Sequence, residues 1–143
     1  MADILVTLLP DPQRKLIYVL PDVNLSQCCS LMVEHDIGAL IVWDEINVLG
    51  VLSERDLIRN CLYKHKNPEN VNAAEVMCAN ISILTPSSTL EEAISVITTT
   101  KRRHILIKEG DEVIAILSQG DILLHMLHTS EHKVDQLERY IYS

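Results

Sequence analysis

The sequence repeats itself: shifted by 65 positions, residues 17–62 align with residues 82–127 without a gap. In this alignment VLGVLSERDLIRNCL, at residues 48–62, corresponds to VIAILSQGDILLHML, at residues 113–127. In both stretches a β-rich apolar run ends in Ser-x-x-Asp and continues into an apolar run with helical spacing. A repeat of this length indicates two copies of one supersecondary unit that share the burial of their apolar faces.

Each copy has the pattern strand, helix, strand, strand, helix. Pro21 and Pro86 end the first strand of each copy, and Thr89 is a suitable N-cap for the helix that follows. The turns DEIN and EGDE lie between the next two strands, which predicts a hairpin in each copy. The sequence therefore predicts an α/β (α+β) fold of two β-α-β-β-α units. We expect four segments: an N-terminal segment and first unit (1–64), a linker (65–76), a second unit (77–130) and a C-terminal helix (131–143) with Val134, Leu137 and Ile141 on one face.

Composition excludes several classes of protein. A net charge of −8 over 143 residues disfavours a nucleic-acid binder, and the 3% aromatic content disfavours a platform for stacking bases. No apolar run approaches the ~18 residues that a membrane span requires. The four cysteines have no zinc-ligand spacing, and the adjacent Cys28 and Cys29 lie in an apolar segment that suits buried, reduced thiols. We expect a cytoplasmic protein.

The order of these elements, with GALIV near the first hairpin and SERD and SQGD closing the third strands, resembles a tandem pair of CBS domains, a Bateman module. Small stand-alone bacterial CBS-pair proteins share three features found here: the segment Ser53–Asp56, the pair Arg103-His104 and a tail like LERYI at 137–141. The resemblance covers almost the whole chain. It implies two units packed about a pseudo-twofold axis, two clefts for adenosine ligands, and a homodimer.

The resemblance implies a main cleft with a full set of polar groups. Arg103 and His104 would contact the ligand phosphate, for which an arginine fork is suited. Ser118 would contact a phosphate oxygen, and Asp121 would accept hydrogen bonds from the ribose hydroxyls, because a carboxylate is an acceptor only. The adenine side of this cleft would be formed by Leu20, Ile37 and Gly38.

A second cleft follows from the same resemblance. Gly38 and Ala39 stand in the first copy where Arg103 and His104 stand in the second, so the two clefts are predicted to differ in charge. The ligand-binding residues predicted for the second cleft are Ser53, Arg55, Asp56, Arg59, Thr85 and Arg102.

Each of these patterns is also compatible with a purely structural role. Ser-x-x-Asp also fits a capping box at a helix start, and the basic run 101–104 also fits a solvated helix end. His125, His128 and His132 have a spacing that suits a transition metal, although we favour a partly buried dimer surface and expect no metal site. The four glycines form neither a P-loop nor a dinucleotide fingerprint, and no activated nucleophile stands out.

We therefore expect a non-enzymatic regulatory protein that binds an adenine nucleotide, requires no cofactor and modulates an unidentified protein partner. AMP is expected rather than ATP, because one short cationic patch balances few phosphates. ATP, NAD and S-adenosylmethionine are the other adenosine ligands considered. The alternative function is a dimeric protein-interaction module whose clefts are vestigial and ligand-free.

Overall fold

The computed structural model describes Leu5, Leu9 and residues 15–129. These residues divide into two compact units. The first unit comprises residues 15–81, and the second unit comprises residues 82–129 together with Leu5 and Leu9. Each unit therefore contains one copy of the sequence repeat.

The first unit has the predicted strand and helix order. Its strand β1 pairs in parallel with β2, and β2 pairs antiparallel with β3 to form the expected hairpin. The elements are β1 (Tyr18–Val19), α1 (Leu25–His35), β2 (Ala39–Trp43), β3 (Val48–Ser53), α2 (Glu54–Leu57), a π-helix (Ile58–Leu62), a 3-10 turn (Pro68–Asn70) and α3 (Ala73–Val76).

The second unit repeats this order, which confirms the predicted β-α-β-β-α architecture. Strand β4 pairs in parallel with β5, and β5 pairs antiparallel with β6. Thr89 is the N-cap of α4, as predicted, and accepts a hydrogen bond from the Glu92 N–H at 3.2 Å. The elements are β4 (Ser82–Leu84), α4 (Leu90–Thr100), β5 (His104–Glu109), β6 (Glu112–Ser118) and α5 (Gln119–Thr129).

The two hairpins match in detail. The strand register shifts between Val42 and Trp43 in the first hairpin and at the equivalent place in the second. Glu45, at φ 78°, and Gly110, at φ 63°, occupy equivalent turn positions in the left-handed region. Asp44 stabilises the first turn by accepting backbone N–H groups, which lowers its pKa below the ordinary value. The copies thus share backbone geometry even where their residues differ.

Each unit has its own hydrophobic core between helices and sheet. In the first core Cys28 is fully buried as predicted, whereas Cys29 is half-buried. Burial, with a smaller effect of Cys29, raises the pKa of the Cys28 thiol to about 11, so this thiol is protonated at neutral pH. All four cysteines are free. The largest fully buried side chains of the first core are Leu25, Leu40 and Leu52, and those of the second are Leu5, Ile105, Ile107 and Leu117.

The segments that precede β1 and β4 pack in units whose bounds differ from those of the four predicted segments. Residues 65–76, predicted as a linker, lie within the first unit, because Val71, Ala73 and Val76 are buried in its core. The sequence grouped residues 1–64 together, but Leu5 is buried in the core of the second unit and Leu9 packs against it. Burial of these apolar side chains is the physical reason why each segment packs in the unit where it lies.

A backbone hydrogen bond that occurs once in each unit shows that these two segments are equivalent. The Ala73 N–H donates to the Val23 carbonyl in the first unit, and the Leu5 N–H donates to the Ser88 carbonyl in the second, both at 2.8 Å. Ser88 follows Val23 by the 65 positions of the repeat. Each unit is thus completed by the segment that precedes the first strand of the other copy.

The predicted C-terminal helix at 131–143 lies outside the described residues. Within the described part of the chain, every helix is too short or too polar to cross a membrane.

Candidate functional site

Ser-x-x-Asp forms a capping box in both units. In the first, the Ser53 N–H donates to Asp56 Oδ2 at 3.0 Å, and the Asp56 N–H donates to Ser53 Oγ at 3.2 Å. In the second, the Ser118 N–H donates to Asp121 Oδ2 at 2.8 Å, and the Asp121 N–H donates to Ser118 Oγ at 3.1 Å. The alternative interpretation of the motif as a helix cap is therefore confirmed, and it fixes both side chains at a strand end.

The residues before β5 lie beside this cap. His104 is the strand partner of Ser118, and the Gln119 N–H donates to the Arg103 carbonyl at 2.9 Å. The structure therefore brings together Arg103, His104, Ser118 and Asp121, as the sequence predicted. All four belong to the second unit, so their proximity follows from the fold of that unit alone.

A cavity of about 570 Å³ opens at this corner of the second unit. Arg103, His104 and Ser118 line its polar side, but Asp121 is not a lining residue because its carboxylate turns back to the cap. The remaining lining residues come from α4 and α5: Ile94, Ile97, Thr98, Gln119, Gly120, Ile122, Leu123 and Met126. The cavity combines a cationic group and a hydroxyl with an apolar wall, which suits an amphipathic anion.

The apolar wall and Gln119 were not predicted from the sequence. Ile94, Ile97 and Thr98 recur at helical spacing, a signal that places them on one face of α4 but does not tell which neighbour that face meets. Gln119 lies inside the repeated Ser-x-x-Asp motif, and its position there was the available signal.

The other predicted site residues are distributed over both units. In the first unit Arg55 is half-buried and Arg59 is exposed. In the second unit Arg102 is half-buried, and Thr85 Oγ1 lies 3.1 Å from the hydroxyls of Ser87 and Ser88.

The predicted adenine side lies entirely in the first unit. Leu20 and Gly38 are exposed, and Ile37 packs against the first core. The predicted main cleft joins these three residues of the first unit with Arg103 of the second, and this grouping stays a prediction. The predicted second cleft joins Thr85 and Arg102 of the second unit with Ser53 of the first, and it also stays a prediction.

The expected absence of a metal site at His125, His128 and His132 stays a prediction. His132 lies outside the described residues, and so does the side chain of His128. Among the side chains that the structure describes, no three of His, Cys, Asp or Glu are placed to hold one metal ion.

Comparison with known proteins identifies the repeated unit. The family model of the CBS domain matches residues 3–63 and 73–128. The chain is 24% identical over 125 residues to the mitochondrial CBS domain-containing protein CBSX3 of Arabidopsis thaliana, covering 84% of this chain but only 61% of that protein. It is 27% identical to hypoxic response protein 1 of Mycobacterium tuberculosis, covering 84% of this chain and 82% of that protein.

Solved structures give the same result for the fold. The crystal structure of a CBS-domain containing protein from Agrobacterium tumefaciens superposes with a TM-score of 0.78 at 26% identity. The match covers 87% of this chain and 99% of the other.

Proposed function

The chain belongs to the CBS domain family, with two copies in tandem, and we propose that it binds an adenine nucleotide, AMP in preference to ATP, at the cavity of its second unit. The bound nucleotide regulates the interaction of the chain with a protein partner. No catalytic step is part of this proposal.

The placement of Arg103 carries the proposal. In an acidic chain, Arg103, His104 and Ser118 line one cavity, and a phosphate group can accept hydrogen bonds from all three side chains. An arginine fork contacts two phosphate oxygens at once, which a single surface charge does not. One such group matches a monophosphate better than a triphosphate, because Arg103 is the one lysine or arginine among the described residues that line the cavity, and two further phosphates would add only negative charge.

The apolar wall supports the nucleoside part of the ligand. Ile94, Ile97 and Ile122 offer a surface on which a flat base can pack, as in most small-molecule sites. Asp121 does not line the cavity itself, but it is held next to the lining residue Ser118 by the cap, and from there it is proposed to accept the ribose hydroxyls.

Replacing Arg103 with glutamine should weaken AMP binding by about tenfold to a hundredfold, because hydrogen bonds to a charged group are worth about 1.5–3 kcal/mol. Titration calorimetry measures this directly. Lys64→Gln is the matched control, since it removes one exposed positive charge from the first unit. Equal affinity of the Arg103 variant and the wild type, or no AMP binding by the wild type, would contradict the proposal.

Exposed apolar side chains on α5 and the π-helix favour the dimeric interaction module as a second candidate function. Leu124 and Leu127 in the second unit and Ile58 and Leu62 in the first are 46–57% exposed. Exposed apolar groups gathered on one helix face mark an interface more often than isolated ones do. A twofold dimer is the commonest closed assembly.

Light scattering tests the dimer. We expect a dimer at micromolar concentration and a shift to monomer in Leu127→Asp, which places a charge on the apolar face. Ile46→Asp is the control, because Ile46 is 86% exposed on the hairpin turn of the first unit and belongs to neither helix. A monomeric wild type would exclude this assembly. Thermal stabilisation by AMP separates the two functions, since a ligand at 100 times its Kd adds about 2.7 kcal/mol and an empty module gains nothing.

A further inference from the structure

The duplicated corner of the first unit has the geometry of the proposed nucleotide site but different charges. The Glu54 N–H donates to the Gly38 carbonyl at 3.0 Å, as the Gln119 N–H donates to the Arg103 carbonyl at 2.9 Å. Ala39 pairs with Ser53 as His104 pairs with Ser118 in the second unit. The backbone positions are therefore equivalent, and only their side chains distinguish the two corners.

Glu54, the equivalent of Gln119, lies beside the backbone position where the second unit has Arg103. A Cβ built at Gly38 would lie 3.4 Å from Glu54 Oε1, so the Glu54 carboxylate lies over the position from which the Arg103 side chain starts in the other copy. In the second unit Gln119 and Arg103 both line the cavity. Their equivalents in the first unit are a carboxylate and a glycine without a side chain.

Arg55 adds a positive charge to this corner of the first unit, but this charge only offsets the negative charge of Glu54. Its equivalent, Gly120, lines the cavity of the second unit, so Arg55 belongs to the same corner as Glu54. One cation and one anion leave these positions of the first unit without net positive charge, whereas Arg103 gives the second unit one positive charge beside neutral Gln119 and Gly120. A phosphate group is attracted to the second corner and gains nothing at the first.

We propose that Glu54 is a specificity-determining residue that restricts the corner of the first unit to adenosine compounds without a phosphate, so that each chain binds one AMP. This inference rests on the proposed nucleotide binding of the second unit. The first unit retains the cap of Ser53 and Asp56, so it keeps the carboxylate proposed to hold a ribose. The negative charge of Glu54 repels a phosphate group next to it.

Calorimetry with AMP and with adenosine tests the inference on the full chain. The wild type should bind one AMP and two adenosines per chain. Glu54→Gln should add a second AMP per chain by strengthening AMP binding at the first unit about tenfold, because one repelling charge is removed. The Glu54 carboxylate takes no part in the capping box, so this variant should keep the thermal stability of the wild type.

Two further variants complete the experiment. Gln119→Glu introduces the same carboxylate into the second unit and should weaken AMP binding about tenfold more than it weakens adenosine binding. Glu34→Gln removes an exposed charge from α1 and should leave both ligands unaffected.

The outcomes separate the inference from the proposed function. Two equivalent AMP sites in the wild type, one adenosine per chain, or an unchanged AMP stoichiometry in Glu54→Gln would overturn the role of Glu54 while leaving nucleotide binding intact. A wild type that binds no AMP would instead refute the proposed function, and the inference with it.

Discussion

Replacing Leu5 with alanine should lower the free energy of unfolding of the second unit by about 2–5 kcal/mol. Leu5 is fully buried in the core that contains Ile105 and Leu117, and its N–H donates to the Ser88 carbonyl. The substitution removes apolar burial and leaves a cavity. The effect is expected in the second copy of the repeat, far along the chain, not in the copy that follows Leu5 directly.

Hydrogen exchange locates this effect. Amides of Ile105 and Ile107 in β5 should lose protection, while amides of Leu40 and Val42 in β2 should keep it. Ile83→Ala is the matched control in the same unit, because Ile83 is 48% exposed and lies on β4, outside the apolar face of α5, so its truncation should cost much less stability than that of Leu5. Equal loss of protection in β2 and β5 would contradict the assignment of Leu5 to the second core.

Replacing Gly50 with alanine should destabilise the first unit by about 1–3 kcal/mol. A Cβ built at Gly50 lies 2.7 Å from both the Cys78 carbonyl oxygen and Met77 Sδ. The Cys78 carbonyl cannot withdraw without loss, because it accepts the Val51 N–H at 3.0 Å. The added methyl group must therefore displace backbone or break this bridge between β3 and the chain that follows α3.

The single tryptophan makes the measurement specific. Trp43 lies on β2 with its ring centroid 4.4 Å from that of Tyr18, so its fluorescence in urea reports the first unit. Gly120→Ala is the control: its Cβ would meet nothing closer than Ser118 Oγ at 3.6 Å, and alanine favours the helix by up to about 1 kcal/mol. A Gly50 variant with an unchanged urea midpoint would show that the approach of Cys78 is not tight in solution.

The parts of the fold set by local sequence were predictable. The gapless repeat implied that each element occurs twice, and turn residues between apolar runs implied the hairpins. Thr89 and the two Ser-x-x-Asp motifs carry their capping information within four residues, so the helix starts after Thr89, Ser53 and Ser118 were foreseeable.

The parts that depend on distant contacts were not predictable. The segment 65–76 is polar on average, and the burial of Val71, Ala73 and Val76 is decided by the sheet that they meet. The short α2 that becomes a π-helix at Ile58–Leu62 carries no local signal, since its equivalent in the second copy is part of the 11-residue α5.

The candidate site divides in the same way. Ser118 and Asp121 were marked by the repeated motif, whereas Arg103 and His104 are absent from the first copy and were predicted from the resemblance to CBS pairs. Their role in ligand binding stays a prediction. The apolar wall of Ile94, Ile97 and Ile122 was missed because helical spacing shows that a face is apolar but does not show what it encloses.

The hydrogen bonds of Ala73 and Leu5 show that the boundaries of the two folded units differ from the boundaries of the two sequence repeats. The first unit is one uninterrupted stretch, residues 15–81, and a fragment with these limits contains every described residue of its core. The second unit is interrupted in the chain by the whole of the first, because Leu5 and Leu9 precede it. Cutting the chain after residue 81 would therefore leave the second unit without Leu5 and Leu9, which are part of its core or pack against it. A circular permutation that places this N-terminal segment next to residues 82–129 in the chain would make both units continuous.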